Sequence, residues 1–214
     1  DKGEEKAWLE LFYVFAGEKE DVIPGRVGIL GMTPQDISDL RAADRIRGHF
    51  AAEGKHAICY GMGNGLDDVK SVSNVEKHIV VTPAALEAAK YLERTFGTPY
   101  EIAYPLVDEL VYDMDYNGKK VLVVQQQVIG NAIREEILKK APDVQVTVAS
   151  WFMMKSEFRQ DGDLHLRDED DYMELVESGE FDVIYADHCM ERMTPKFAGI
   201  FVDTVHFAVS GRLK

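Results

Sequence analysis

Cysteine is scarce in this sequence: Cys59 and Cys189 are the two thiols among its 214 residues. Two thiols cannot form a disulfide framework, and they cannot by themselves hold a four-cysteine zinc or iron–sulfur site. So little cysteine is typical of proteins in a reduced compartment, and we therefore expect a cytoplasmic location.

Basic residues are also few, with 24 lysines and arginines against 38 aspartates and glutamates and a formal net charge of -14. Such a surface repels phosphate groups, which argues against nucleic acid as a partner.

Long apolar runs are missing too: the run at residues 8–16 contains Glu10 and is shorter than the ~20 residues of a membrane helix, so no membrane partner is expected. No signal peptide is recognisable, and because the chain begins with Asp1, we interpret it as a fragment of a longer protein.

Short apolar strands alternate with helical stretches along the remaining chain. Apolar runs at residues 26–31, 56–61 and 78–81 precede helical patterns, and a second such series follows the turn dipeptide Asn117-Gly118. This alternation is typical of right-handed βαβ units. It predicts an α/β fold of two Rossmann-like units whose parallel sheets are flanked by helices.

The same pattern predicts the domain limits. We expect an N-terminal extension at residues 1–25 that packs on the first unit, a first unit at 26–112 and a second unit at 118–214. No tandem repeat and no low-complexity segment is present.

One stretch, residues 77–100, is distinctive and reads KHIVVTPAALEAAKYLERTFGTPY. It resembles nitrogenase component 1, where a strand feeds an alanine-rich helix that ends in Tyr-Leu-Glu, an aromatic residue, Gly, a small residue and Pro. Residues 118–140 and the stretch VHFAVSG at 205–211 resemble two further segments of that family. The family comprises the molybdenum–iron protein subunits, their cofactor-assembly homologues and the subunits of dark-operative protochlorophyllide reductase.

The resemblance implies that this chain corresponds to the second and third of three Rossmann-like domains around a shared cleft. It implies an oxidoreductase subunit that accepts electrons from an ATP-dependent iron–sulfur reductase, pairs with a homologous subunit and reduces a substrate in the interdomain cleft. The alternative is a non-catalytic scaffold or carrier for a metal cluster or a tetrapyrrole precursor. The fragment alone is expected to be inactive.

At two positions where the family has cofactor ligands, this sequence has different residues. Thr82 stands where the molybdenum–iron subunit has its cofactor cysteine, and Lys214 stands near the position of its ligating histidine. A hydroxyl and an ammonium are poor ligands for a sulfur-rich metal cofactor. We therefore expect no cofactor and no metal in this fragment, whereas the missing first domain of the full-length protein could hold an iron–sulfur cluster.

Ligands of parallel sheets bind beyond the carboxyl ends of the strands, so the candidate cofactor-binding residues come from those positions. They are Thr33, Gly61, Asn64, Thr82, Gln125, His188, Cys189 and His206. We expect a bound cofactor or substrate to lie between the two units, beside Thr82 and the His188-Cys189 turn.

Each candidate has an alternative interpretation. The glycine-rich loop at residues 61–65 could approach a phosphate or could be a crossover turn, and the glutamines at 125–127 could bind a polar ligand or cap a helix. Cys189 could act as a metal ligand or thiolate or could pack in the core, while Cys59 reads as a buried inert thiol. His206 could donate a proton or could bond a neighbouring carbonyl. The acidic run at 168–171 could bind a cation or begin a helix.

Overall fold

The chain folds into two compact units, the first ending at Leu106 and the second beginning at Val107. The computed structural model describes residues 2–178 and 180–214. The domain limits predicted from the sequence, 26–112 and 118–214, stay a prediction; in the structure the division falls before residue 112.

The first unit contains a four-stranded parallel sheet with the strand order β2-β1-β3-β4. Its strands are β1 (Arg26–Leu30), β2 (His56–Cys59), β3 (Lys77–Val80) and β4 (Tyr100–Ile102). Its helices are α1 (Lys2–Phe15), α2 (Pro34–Ile37), α3 (Ala42–Ala52), α4 (Leu66–Lys70) and α5 (Leu86–Phe96). Because β1 pairs with β2 on one side and β3 on the other, the topological switch point lies between β1 and β3.

The N-terminal helix α1 packs against α5 and the 3₁₀ turn Pro83–Ala85. Trp8 and Phe12 on α1 are buried in the same hydrophobic cluster as Leu92 of α5. Helix α5 ends at Gly97, whose φ of 76° is the left-handed conformation that glycine adopts most easily.

The second unit contains a five-stranded parallel sheet with the strand order β7-β6-β5-β8-β9. Its strands are β5 (Lys120–Val124), β6 (Gln145–Ser150), β7 (Leu164–His165), β8 (Val183–Ala186) and β9 (Ile200–Asp203). Its helices are α6 (Gln127–Lys140), α7 (Glu169–Glu177), α8 (His188–Glu191) and α9 (Phe207–Ser210). The switch point of this sheet lies between β5 and β8.

The predicted fold class is confirmed, because both sheets are parallel and flanked by helices. The acidic run begins helix α7, with Asp168 as its N-cap accepting a hydrogen bond from the Asp171 N–H. The short outer strands β4 and β7 were not predicted from the sequence.

Candidate functional site

Thr33 and Thr82 lie at the switch point of the first sheet, as the strand-end rule predicts. The Thr33 hydroxyl donates to Glu4 Oε1 of α1 at 3.0 Å. Thr82 is fully buried, and it packs so closely over Gly31 (φ +95°) that a Cβ on Gly31 would lie 2.7 Å from Thr82 Oγ1. The glycine is therefore required for this approach of β1 and β3.

Asp36 joins the two threonines at this edge. Burial raises the pKa of its carboxyl group to about 7, the nearby Glu4 charge adds to the rise, and the Thr82 hydroxyl acts in the opposite direction. A carboxyl group that titrates near neutral pH can give or take a proton. Glu4 and Asp36 were not predicted as site residues from the sequence, although Asp36 stands three residues after Thr33 in the turn beyond β1.

The glycine-rich loop after β2 is held closed by the side chain of Asn64. Asn64 Oδ1 accepts from the Cys59 N–H at 3.0 Å and from Arg47 Nη2 at 2.7 Å, while its Nδ2 donates to Asp68 at 2.8 Å. Gly61 has a φ of +102°, and a Cβ there would lie 2.2 Å from the Met32 carbonyl oxygen. These contacts favour the crossover-turn interpretation over a phosphate loop.

Cys59 is fully buried, and its thiol lies 3.7 Å from the carbonyl oxygen of Ala43. Burial raises the pKa of this thiol to about 11, so it stays protonated and unreactive at neutral pH. This agrees with the buried inert thiol expected from the sequence.

The three glutamines after β5 are engaged in local structure. Gln126 caps α6 by accepting from the Val128 N–H at 2.7 Å, and the Gln125 side-chain oxygen accepts from the Gln126 N–H at 2.9 Å. Gln127 Nε2 donates to the Lys155 carbonyl oxygen at 3.1 Å, and Gln127 Oε1 accepts from the Lys155 N–H at 2.5 Å. The arrangement favours capping, and it orders the loop that follows β6.

Asp187, which the sequence analysis did not select, organises the ends of β8 and β9. Its carboxylate accepts from the Cys189 N–H (3.0 Å), the His206 N–H (2.9 Å) and the Ser210 hydroxyl (2.7 Å), and it lies 3.1 Å from Arg212. Burial acts to raise its pKa, but these hydrogen bonds prevail and lower it to about 2. Its position, directly after an apolar strand and before a short helix, was the sequence signal that could have identified it as a site residue.

His188 and Cys189 are adjacent in sequence but differ in their surroundings. The exposed His188 ring lies 2.9 Å from Glu191 through Nδ1, and the His188 backbone N–H donates to Asp203 Oδ1. Cys189 is half-buried and lines a cavity. Burial, reinforced by Asp187, raises the pKa of the Cys189 thiol to about 11. At neutral pH it is therefore a thiol and not a thiolate nucleophile.

His206 is 1% exposed, and its ring stacks on Phe152 with centroids 4.4 Å apart and planes 10° apart. Neither ring nitrogen has a hydrogen-bond partner among the described residues, so the predicted bond to a neighbouring carbonyl is not formed there. Burial lowers the pKa of His206 to about 4, although the Asp187 charge opposes the shift. The imidazole is therefore neutral at pH 7.

A cavity of about 280 Å³ opens at this edge of the second sheet. Its apolar wall consists of Trp151, Phe152, Met193, Ala208 and Val209, together with the Cys189 thiol. Its charged rim consists of Arg167, Asp168 and Glu169. The wall residues follow β6, β8 and β9, so the topology of the sheet brings them together.

No group of three or more histidine, cysteine or acidic side chains within residues 2–178 and 180–214 is arranged to hold a metal ion. In that same part of the chain, no helix has the length and apolar character needed to cross a membrane. At the two positions that the resemblance aligns with cofactor ligands, the side chains do not suit a sulfur-rich metal cofactor: Thr82 presents a buried hydroxyl that packs on Gly31, and Lys214 presents an ammonium.

Two parallel sheets, each flanked by helices, define a nitrogenase-like α/β fold. The solved structure described as "Nitrogenase Cp1 at pH 6.5" is similar to this chain, with a TM-score of 0.66 and 14% sequence identity. The similarity covers 95% of this chain and 57% of that one, so the chain spans little more than half the length of that neighbour. No family model and no curated protein sequence matches. At this identity the likeness shows the fold alone.

The location of a shared site beside Thr82 and Cys189 stays a prediction. In the first unit Thr82 packs over Gly31, two residues before Thr33. In the second unit Cys189 lines the same cavity as Phe152, whose ring stacks on His206.

Proposed function

We propose that the intact protein is a nitrogenase component 1-like oxidoreductase subunit. In this proposal it accepts electrons from an ATP-dependent iron–sulfur reductase and reduces a substrate in an interdomain cleft. The observation that carries the proposal is the likeness in fold over 95% of the chain. The family-like segment at residues 77–100 supports it independently, since it forms β3 and α5 at the switch point of the first sheet.

The role of this chain in that subunit is substrate binding and proton exchange rather than cluster ligation. Thr82 and Lys214 do not fit the cofactor of the molybdenum–iron subunit, so an iron–sulfur cluster would be held by parts of the protein outside this chain. Asp36, with a pKa of about 7, is the group at the first sheet edge suited to exchange protons during a reduction. A homologous subunit as partner and a cytoplasmic location belong to the same proposal.

The second candidate is a scaffold or carrier for a metal cluster or a tetrapyrrole precursor. The specific observation in its favour is that Thr82 replaces the ligand cysteine and lies buried against Gly31, where it cannot ligate a soft metal. A carrier needs binding surfaces but no stable redox centre of its own.

One experiment separates these functions. The full-length protein is purified without oxygen, its iron and labile sulfide are quantified, and it is mixed with the iron–sulfur ATPase-type reductase from the same organism. Spectral changes are then followed with MgATP and, as the control, with MgADP. Oxidation of the reductase only with MgATP, together with bound iron, supports the oxidoreductase.

Bound cluster or tetrapyrrole precursor without MgATP-dependent electron transfer supports the carrier. A full-length protein that holds neither and accepts no electrons contradicts both functions.

A further inference from the structure

The dipeptide Asn-Gly occurs twice in this chain, as Asn64-Gly65 in the first unit and as Asn117-Gly118 in the second. Asparagine is a thermolabile residue. In an Asn-Gly pair the glycine nitrogen can attack the side-chain carbonyl carbon of the asparagine, and because glycine has no side chain, nothing on its own α-carbon hinders the approach. Both pairs have nearly the same reactivity in an unfolded chain, so a difference between them in the folded protein comes from the structure around them.

In the first unit, the Asn64 pair is held by hydrogen bonds. Asn64 Oδ1 accepts from the Cys59 N–H at 3.0 Å and from Arg47 Nη2 at 2.7 Å. Asp68 Oδ2 accepts from Asn64 Nδ2 at 2.8 Å and from the Gly65 N–H at 3.4 Å, so it engages both reacting groups of the pair. Because Asn64 is also half-buried, its side-chain carbonyl carbon cannot turn toward the Gly65 nitrogen until this network opens.

In the second unit, the Asn117 pair lies in the turn before β5, where both of its residues are exposed. The Lys119 N–H closes this turn by donating to the Tyr116 carbonyl oxygen at 3.0 Å. Among the residues that the structure describes, the Asn117 side chain makes one hydrogen bond, from Nδ2 to Asp115 Oδ1 at 2.7 Å, and the Gly118 N–H donates to no acceptor. No network therefore has to open before the two reacting groups of this pair approach each other.

We propose that Asn117 is a site of spontaneous deamidation and that the fold protects Asn64 from the same reaction. The Gly118 nitrogen forms a bond to Asn117 Cγ and loses its proton, the Cγ–Nδ2 bond breaks, and ammonia leaves behind a succinimide ring. Water then opens the ring at either carbonyl carbon and gives aspartate or isoaspartate. The proposal does not depend on the redox function, because water is the only co-reactant and nothing is oxidised or reduced.

The turn leads directly into β5, the central strand of the second sheet. The Lys119 carbonyl oxygen accepts from the Gln145 N–H at 3.2 Å. The Lys120 N–H donates to Asp182 Oδ2 at 2.8 Å, so the start of β5 is fixed on both sides. Isoaspartate lengthens the backbone of the turn by one methylene group, and either product places a negative charge two residues from Asp115. Both changes strain the start of β5, so we expect deamidated protein to unfold at a lower urea concentration.

Peptide mapping of the intact protein tests the proposal. Folded protein and protein unfolded in urea are incubated in parallel at pH 8.5, and their tryptic peptides are followed over time by mass spectrometry, after chromatography that separates aspartate from isoaspartate. In urea, both asparagines should convert at similar rates. In the folded protein, Asn117 should convert at least ~10-fold faster than Asn64, because several hydrogen bonds must open before Asn64 reacts.

Three variants sharpen the test. Asp68→Ala removes the acceptor of both Asn64 Nδ2 and the Gly65 N–H, so it should raise the conversion rate of Asn64 at least ~3-fold and leave that of Asn117 unchanged. The matched control Asp67→Ala changes an exposed carboxylate of the same helix and should alter neither rate. Asn117→Gln, whose longer side chain would have to close a larger ring, should show no measurable conversion at this position and no loss of stability during the incubation.

The proposal is overturned if the folded protein keeps Asn117 intact over a time in which the unfolded protein converts it. It is equally overturned if Asn64 and Asn117 convert at the same rate in the folded protein. An unchanged Asn64 rate in Asp68→Ala would refute the protection by hydrogen bonds. An incubated wild type that unfolds at the same urea concentration as equally incubated Asn117→Gln would refute the effect on β5.

Discussion

Replacing Asp163 with alanine should destabilise the second unit more than any surface substitution in it. The Asp163 side chain is 2% exposed, and its Oδ1 accepts from Arg134 Nη2 at 2.6 Å and from the Val148 N–H at 3.0 Å. Its Oδ2 accepts from the Gln160 N–H at 2.9 Å. One carboxylate thus ties helix α6, strand β6 and the loop before β7 together.

The expected loss follows from what the substitution leaves behind. Arg134 is only 3% exposed, and removing one partner of a buried ion pair costs about 3–5 kcal/mol because the other charge stays buried. The two N–H groups add to this loss, but water reaches them once the loop opens, so the contributions do not sum. We expect about 4 kcal/mol, against the ~5–15 kcal/mol total stability of typical domains.

The measurement is urea unfolding followed by tryptophan fluorescence. A Trp8→Phe background leaves Trp151 as the reporter, so the signal comes from the second unit. Asp161→Ala, an exposed neighbour, is the control and should change stability by less than ~0.5 kcal/mol. Arg134→Met combined with Asp163→Ala should cost less than the sum of the single changes, because neither charge is then left alone.

The reasoning is refuted if Asp163→Ala loses less than ~1 kcal/mol, or if the two substitutions are additive. Either result would mean that the loop does not depend on the buried ion pair.

Three further predictions concern titratable groups. The pKa of Asp36 is raised to about 7, so the stabilisation provided by the protonated carboxyl group is lost as the pH rises from ~4 through 7. Because asparagine stays neutral, Asp36→Asn should raise the melting temperature at pH 8 and leave it unchanged at pH 4. The pKa of His206 is lowered to about 4, so the free energy of unfolding of the wild type should fall by ~3 kcal/mol as the pH is lowered from 6.5 to 4. Urea unfolding of His206→Phe should not show this loss. The pKa of Cys189 is raised to about 11, so at pH 8 iodoacetamide, followed by mass spectrometry, should alkylate it ~100-fold more slowly than a free thiol.

Each of the three has a clear contrary outcome. Equal stabilisation by Asp36→Asn at both pH values would show that the carboxyl group is not protonated in the folded state. A pH slope unchanged in His206→Phe would assign the acid sensitivity to another group. Rapid alkylation of Cys189 at pH 8 would show that the thiolate is accessible and stabilised.

The fold could be predicted because its signals are local. Pro83 begins the 3₁₀ turn that leads into α5, the helix has an apolar face and Gly97 caps its end, and all three features are visible in the sequence. The outer strand β7 has two residues, Leu164 and His165, too few for any alternation to be recognised. The role of Asp163 could not be predicted from the sequence, because its partner Arg134 lies 29 residues away and only tertiary packing brings them together.

Only those features of the candidate site that follow from the sheet topology could be predicted from the sequence. Strand ends of parallel sheets share an edge, and by that rule Thr33 and Thr82, which follow β1 and β3, were selected as candidates; their role in binding stays a prediction. Glu4 could not be selected, because it comes from a helix whose docking place depends on packing of Trp8 and Phe12. The unpartnered state of the His206 nitrogens was also hidden, because no local sequence pattern signals it.

Despite the net charge of -14, three of the titratable groups at the two sheet edges are neutral or half-protonated at pH 7. Burial holds His206 and Cys189 neutral at pH 7, and it leaves Asp36 near its midpoint. A group that is half-protonated at neutral pH is useful where a proton must accompany an electron, and a carrier has no such need. The oxidoreductase function therefore uses proton exchange at Asp36, whereas the carrier function does not need it.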